Sequence, residues 1–106
     1  MKVWQVKYLD VVPGKNPIEK WLDALTREQL KSVAKEIKML EEVGSELKLP
    51  HSRSLGKGLF ELRERRYGYR VYYCFQNECV IVLLAAGDKK SQKNDIKIAR
   101  ERMLQL

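Results

Sequence analysis

The residues able to do chemistry in this chain are mostly cations: 21 lysines and arginines stand against 14 acidic side chains, a net charge of +7. The excess is uneven. Residues 1–44 hold eight basic and seven acidic side chains, whereas residues 45–106 hold thirteen and seven. A half-chain surplus of this kind fits either a face built for a polyanion, with nucleic acid the usual one, or a general solubilising charge. The sole histidine, His51, removes the two-histidine scheme of RNA cleavage, and leaves His51 itself, a lysine of lowered pKa or Glu61 as the available bases. No Asp/Glu/His/Cys set has ligand spacing, and neither a glycine-rich nucleotide loop nor a Ser-His-Asp arrangement is present, so the expected chemistry uses no metal and no cofactor.

Two arginines come together if neighbouring strands pair. With Leu62 opposite Val71 and Phe60 opposite Tyr73 facing a core, parity puts Arg63 opposite Arg70 and Glu61 opposite Tyr72 on the other face. Like charges placed side by side repel unless an acid such as Glu61 or Glu64, or a bound anion, lies between them. Guanidinium forks suit a phosphate, and a pair can stabilise the extra charge of an attacked phosphodiester. Tyr72 beside them could stack on a base. The alternative is an exposed sheet face whose arginines pair with Glu61 and Glu64 in solvent. Lys57 before the first of these strands and Lys89-Lys90 after the last are expected to flank a groove, the alternative for Lys89-Lys90 being the solvated turn that a charge run more often makes, with Arg65 and Arg66 in the intervening turn and Lys93 just beyond as further candidate cations for RNA.

The elements that must hold these residues follow from periodicity. Met1 to Tyr8 alternates, with Trp4, Val6 and Tyr8 on one side, and reads as a strand. Asn16-Pro17 supplies an N-cap and a first-turn proline for a helix carrying Ile18, Trp21, Leu22 and Leu25. Thr26 to Gln29 has capping-box spacing, and Leu30, Val33, Ala34, Ile37 and Leu40 recur at helical intervals until Gly44. The two helices are expected to form a hairpin on one sheet face. Residues 44–58 show little periodicity and read as a long loop. Gly58–Arg65, Tyr69–Phe75 and Val80–Ala86 follow as a β-meander, the last apolar on both sides as in a strand inside the sheet. After Gly87 a polar turn leads to Ser91, an expected N-cap, and to a last helix with the stripe Ile96, Ala99, Met103. The order βααβββα predicts one α+β domain over residues 1–106, with two helices packed on a small, mainly antiparallel sheet.

Cys74 and Cys79 are read as reduced, since two cysteines make no disulfide framework. No basic leader precedes an apolar stretch, and the longest apolar run, Val80 to Ala86, is far short of the ~20 residues of a spanning helix. The expectation is a cytoplasmic protein with no membrane partner.

The runs Ser54-Leu55-Gly56-Lys57-Gly58-Leu59-Phe60-Glu61-Leu62-Arg63, Gly68-Tyr69-Arg70-Val71-Tyr72-Tyr73 and Gly87-Asp88-Lys89-Lys90-Ser91-Gln92 resemble the addiction module killer, or phage Gp49-like, branch of the RelE/HigB toxins. The resemblance implies a RelE-like fold and the toxin of a type II toxin–antitoxin pair that cleaves mRNA on the ribosome. It implies phosphate-stabilising cations at Arg63 and Arg70, a further basic residue at Lys89 or Lys90, and a match of His51 to a loop histidine of the HigB branch. The implied catalytic set is therefore Arg63, Arg70, Lys89 and His51. It also implies a cognate antitoxin, expected to be a helix-turn-helix DNA-binding protein. The chain departs from the best-studied branch in carrying Glu61 where that branch is basic, and helix residues such as Asp95 where that branch has a C-terminal tyrosine. Other readings of the same resemblance are a ParE-like gyrase inhibitor and a non-catalytic RNA-binding phage-derived protein.

Overall fold

Five strands and three helices account for most of a computed structural model that describes residues 4–11 and 13–106. In chain order they are β1 (Gln5–Tyr8), α1 (Pro17–Asp23), α2 (Arg27–Val43), β2 (Ser52–Gly56), β3 (Leu59–Glu64), β4 (Tyr69–Phe75), β5 (Val80–Gly87) and α3 (Gln92–Met103). Met1 to Val3, read as the start of the first strand, lie outside the described residues. The helix starts form as their sequences dictate. The Asn16 side chain accepts from the Glu19 amide at 2.9 Å with Pro17 in the first turn, and Thr26 and Gln29 close a capping box in both directions. Each such cap contributes about 0.5–2 kcal/mol by satisfying amides that the helix cannot.

The sheet order is β1-β5-β4-β3-β2. β1 runs parallel to β5, while β2–β3, β3–β4 and β4–β5 are antiparallel. The pairing of Leu62 with Val71, Phe60 with Tyr73, Glu61 with Tyr72 and Arg63 with Arg70 is the one parity predicts. One face buries Leu62, Val71, Tyr73, Ile81 and Leu83 against Ile18, Val33 and Leu40 of the helical hairpin, with Trp21, Leu22, Leu25 and Ile37 packed around them. Each fully buried aliphatic side chain there contributes about 1.5–3 kcal/mol through apolar area removed from water.

Three expectations change. The segment read as a loop contains β2, an edge strand bulged between Ser54 and Gly56. Its sequence Ser-Arg-Ser-Leu-Gly carries no apolar alternation, because an edge strand of this length buries little, and only Ser52 of the five is buried. The second face, on which Tyr72 is expected to meet a base, is covered. α3 lays Ala99, Ile96 and Met103 over Leu59, Tyr72, Cys74, Val80, Val82, Leu84 and Ala85, forming a second core. Ser91 does not cap α3 with its side chain; its backbone N–H donates to Asp88 Oδ1 at 3.0 Å and its hydroxyl donates to Asp95 Oδ2 at 2.5 Å. α3 approaches so closely that a Cβ on Gly87 would collide with Asp95 and Ser91, which fixes glycine at the end of β5. Cys74 is buried and Cys79 exposed, and both are free thiols.

Candidate functional site

β3 carries its side chains alternately to the two cores, so Leu62 and Glu64 face α2 while Glu61 and Arg63 face the side of α3. Glu64 is consumed structurally. Its carboxylate accepts the amides of Arg66, Tyr67 and Tyr69 and the Ser32 hydroxyl, holding the β3–β4 turn against α2. Glu61 stands at the centre of the other face, 1% exposed. Arg63 Nε lies 3.8 Å from its Oε1, Arg70 Nε 3.7 Å from its Oε2, and Arg53 Nη2 3.7 Å from its Oε1. Gln92 of α3 donates to Oε2 at 2.8 Å.

The repulsion between Arg63 and Arg70 is thus offset by a carboxylate. The contacts are ion pairs longer than hydrogen bonds, so the guanidinium forks are not saturated by the acid. Arg70 Nη1 donates to the Gly68 carbonyl at 2.8 Å, which fixes the direction of its fork, yet its buried Nε finds no hydrogen-bond partner among the described residues. Beside the pair opens a cleft of about 220 Å³ lined by Arg63, Glu64, Arg65, Gly68, Tyr69 and Arg70. Arg70 pairs with Gly87, so the Asp88-Lys89-Lys90 turn leaves the sheet at the same end, and Lys89 and Lys90 are exposed there.

The remaining expected residues separate into groups. Arg65 and Arg66 sit exposed in the β3–β4 turn, Arg66 over the Tyr67 ring at 5.1 Å. Lys93 is exposed in the first turn of α3, near Lys89 and Lys90 in sequence. Lys57, with a positive φ of 53°, occupies the β2–β3 turn at the other end of β3, apart from the arginines. His51 turns toward the helical hairpin, where its Nδ1 meets Glu36 Oε1 of α2 at 2.9 Å, away from the face that carries Arg63 and Arg70.

Tyr72 requires a correction. It is fully buried beneath α3, so its ring offers no face on which a base could stack. Its hydroxyl lies inside the cluster without a hydrogen-bond partner among the described residues. Burial first, then the nearby Glu61 and Asp95 carboxylates, push its pKa up, so it stays a neutral phenol.

Arg53 and Gln92 join this site without having been foreseen. Arg53 reaches Glu61 from β2, the strand that lacks a periodic signal, and Gln92 reaches it from α3, whose docking face depends on tertiary packing. The usable clue is Glu61 itself, an acid on an otherwise cationic face, which must be neutralised if it is buried.

Residues 20–104 match the family model described as Phage derived protein Gp49-like (DUF891). An uncharacterized protein of Haemophilus influenzae is 47% identical over 49 residues, covering 45% of this chain and 50% of that protein, so the match spans about half the length of that relative. The Escherichia coli toxin RelE, in its free state and carrying two arginine-to-alanine changes, superposes with a TM-score of 0.68 at 15% identity, covering 94% of this chain and 97% of RelE. At that identity the likeness speaks for the fold alone. A family match that takes in the whole meander and α3, on a sheet and helix arrangement similar to that of RelE, leads to one conclusion: the chain belongs to the phage-derived Gp49-like family (DUF891) and has a RelE-like fold.

Proposed function

We propose that this chain is the toxin of a type II toxin–antitoxin pair and arrests translation by cleaving mRNA on the ribosome. The observation that carries the proposal is the cross-strand pair Arg63 and Arg70 beside a cleft that Arg65 also lines. In the proposed reaction the RNA 2′-OH attacks the adjacent phosphate, the two guanidiniums stabilise the dianionic transition state, and the products are a 2′,3′-cyclic phosphate and a 5′-OH. Arg70, held by the Gly68 carbonyl and Glu61, acts as the oriented donor, and the more exposed Arg63 takes the outer phosphate oxygen. Lys89 and Lys90 at the same sheet end extend the positive potential toward the neighbouring phosphates, and Lys93, Arg65 and Arg66 line its approaches. His51, paired with Glu36, takes no part in this scheme.

An unrestrained nuclease would harm its host, so a cognate antitoxin, of helix-turn-helix type, is proposed to cover the arginine face with an acidic segment. No helix among the described residues is long and apolar enough to cross a membrane, and the proposed site of action is the cytoplasm. The reading is tested by inducing expression and mapping mRNA 5′ ends. The expected outcome is growth arrest with cuts inside translated codons. Arrest with intact mRNA and trapped gyrase cleavage complexes would replace it with gyrase inhibition.

A further inference from the structure

Glu61 is surrounded by arginines from three adjacent strands, Arg53 on β2, Arg63 on β3 and Arg70 on β4. One carboxylate cannot neutralise three guanidiniums, so the cluster keeps a net positive charge of two. Exposure rises outward across the strands. Glu61 is 1% exposed and Arg70 13%, Arg63 34%, and Arg53 48%. The acid is the buried floor, and the guanidiniums stand between it and solvent. Each Arg–Glu contact is 3.7–3.8 Å, beyond hydrogen-bonding range, so the N–H donors are aligned by the charge without being used up. Among the described residues the one hydrogen bond to the Glu61 carboxylate is neutral, from Gln92 at 2.8 Å, and it fixes the carboxylate without competing for the arginines. The buried Arg70 Nε still lacks a hydrogen-bond partner among the described residues.

We propose that Arg53 is a third phosphate-binding residue, seating a backbone phosphate next to the one held by Arg63 and Arg70, and that Glu61 is the positioning residue that orients all three guanidiniums. The assignment rests on the nuclease reading for the identity of the ligand, RNA, and on the geometry alone for the layered acid, arginine and anion arrangement. Arg53 lies directly across from Glu61, while Arg63 and Arg70 occupy the next cross-strand row, so the cations form two rows along which a single strand can place successive phosphates. Their charges act on binding and their orientation on the reaction, and these two roles are separable.

The experiment uses the full chain and a short, uncleavable 2′-O-methyl RNA, with affinity measured by fluorescence anisotropy over a range of salt, beside single-turnover cleavage on programmed ribosomes. Arg53→Ala should weaken RNA binding and lower the slope of log affinity against log salt by about 0.7, the loss of one phosphate contact on a single strand. Below saturation its cleavage rate should fall in step with that loss of affinity. Glu61→Gln should move the two readouts in opposite directions. Binding tightens, because the cluster gains one net positive charge, while the saturated cleavage rate falls roughly tenfold or more as the forks lose their alignment. Arg53→Lys should restore the salt slope, because a point charge suffices for the outer phosphate. An unchanged slope in Arg53→Ala would overturn the third-phosphate assignment, and Glu61→Gln losing both binding and rate would reduce Glu61 to a structural acid. Should the unaltered chain cleave no mRNA while the Arg53→Ala slope still falls, the nuclease reading fails and the anion site stands.

Discussion

Leu62 and Arg63 are neighbours on β3, yet they open onto two faces of one sheet that are finished in different ways. Under the helical hairpin, packing is complete: Trp4, Ile18, Leu40, Leu62, Tyr73 and Leu83 are buried together, Phe60 stacks on Tyr73 with ring centroids 5.4 Å apart, and the buried acid Glu64 has a donor for each oxygen. Under α3, an apolar core around Leu59, Val82, Leu84 and Ala99 gives way at the β3–β4 end to buried charge, with a Tyr72 hydroxyl and an Arg70 Nε that have no hydrogen-bond partner among the described residues. Buried polar groups without partners cost about 1–3 kcal/mol each, so they persist where something besides stability is served. The first face holds the fold, and the second spends some of that stability on a cationic site.

The largest effect that could break this contrast is in the first core. Leu83→Ala removes a fully buried side chain between α1 and the sheet and should cost about 2–5 kcal/mol in urea unfolding. Ile96→Ala, on the partly exposed stripe of α3, should cost about 1–2 kcal/mol. Equal losses would mean that the two faces contribute alike.

A smaller effect sharpens the polar half of the comparison. Tyr73 shares a short hydrogen bond with Ser52 inside the first core, whereas the Tyr72 hydroxyl in the second has no hydrogen-bond partner among the described residues. Tyr73→Phe should therefore destabilise by roughly 1 kcal/mol or more and strand the Ser52 hydroxyl, while Tyr72→Phe should be neutral or stabilising by up to about 1 kcal/mol. Thermal melts of the two variants decide it, and a costly Tyr72→Phe would show a hydrogen bond from that phenol.

The smallest expected effect concerns the start of α3. The Asp88 carboxyl lies below its ordinary pKa, first because the Ser91 amide donates to it and then through the Lys90 amide and the Ser91 hydroxyl. A depressed folded-state pKa means that the unfolded chain takes up the proton first. The contribution is therefore present above the usual carboxylate range and lost as pH falls through the folded value. Amide exchange in the first turn of α3 should quicken on acidification, and Asp88→Asn should flatten that response. An unaltered response in the variant would remove Asp88 from the anchoring of α3.

What was readable in the sequence depended on pattern strength. The Asn16 and Thr26 caps, the stripe of α2 and the β3–β4 register are all carried by local side chains whose spacing matches one structure, so the placement of Arg63 opposite Arg70 could be read before any coordinates. β2 could not, because Ser52–Gly56 is an edge strand without apolar alternation, and with it Arg53 was lost. The cover over Tyr72 was also illegible as such: Ile96, Ala99 and Met103 announce a helix with an apolar stripe without saying which face of the sheet the stripe meets. The arginine pair is accordingly less open than parity alone implies. Arg70 is mostly buried and its removal would disturb Glu61, whereas Arg63 is the more exposed of the two.

That difference makes Arg63 the sharper probe of whether the second face performs RNA cleavage. Single-turnover cleavage of mRNA on programmed ribosomes by the Arg63→Ala chain, with thermal melts of the same preparation, should show a rate lowered by roughly 10²–10³. Stability should change by about 0.5 kcal/mol or less, and Lys at the position should restore activity only in part. Cleavage by Arg63→Ala at the rate of the unaltered chain, with the protein folded, would contradict the assignment of this face to phosphate chemistry.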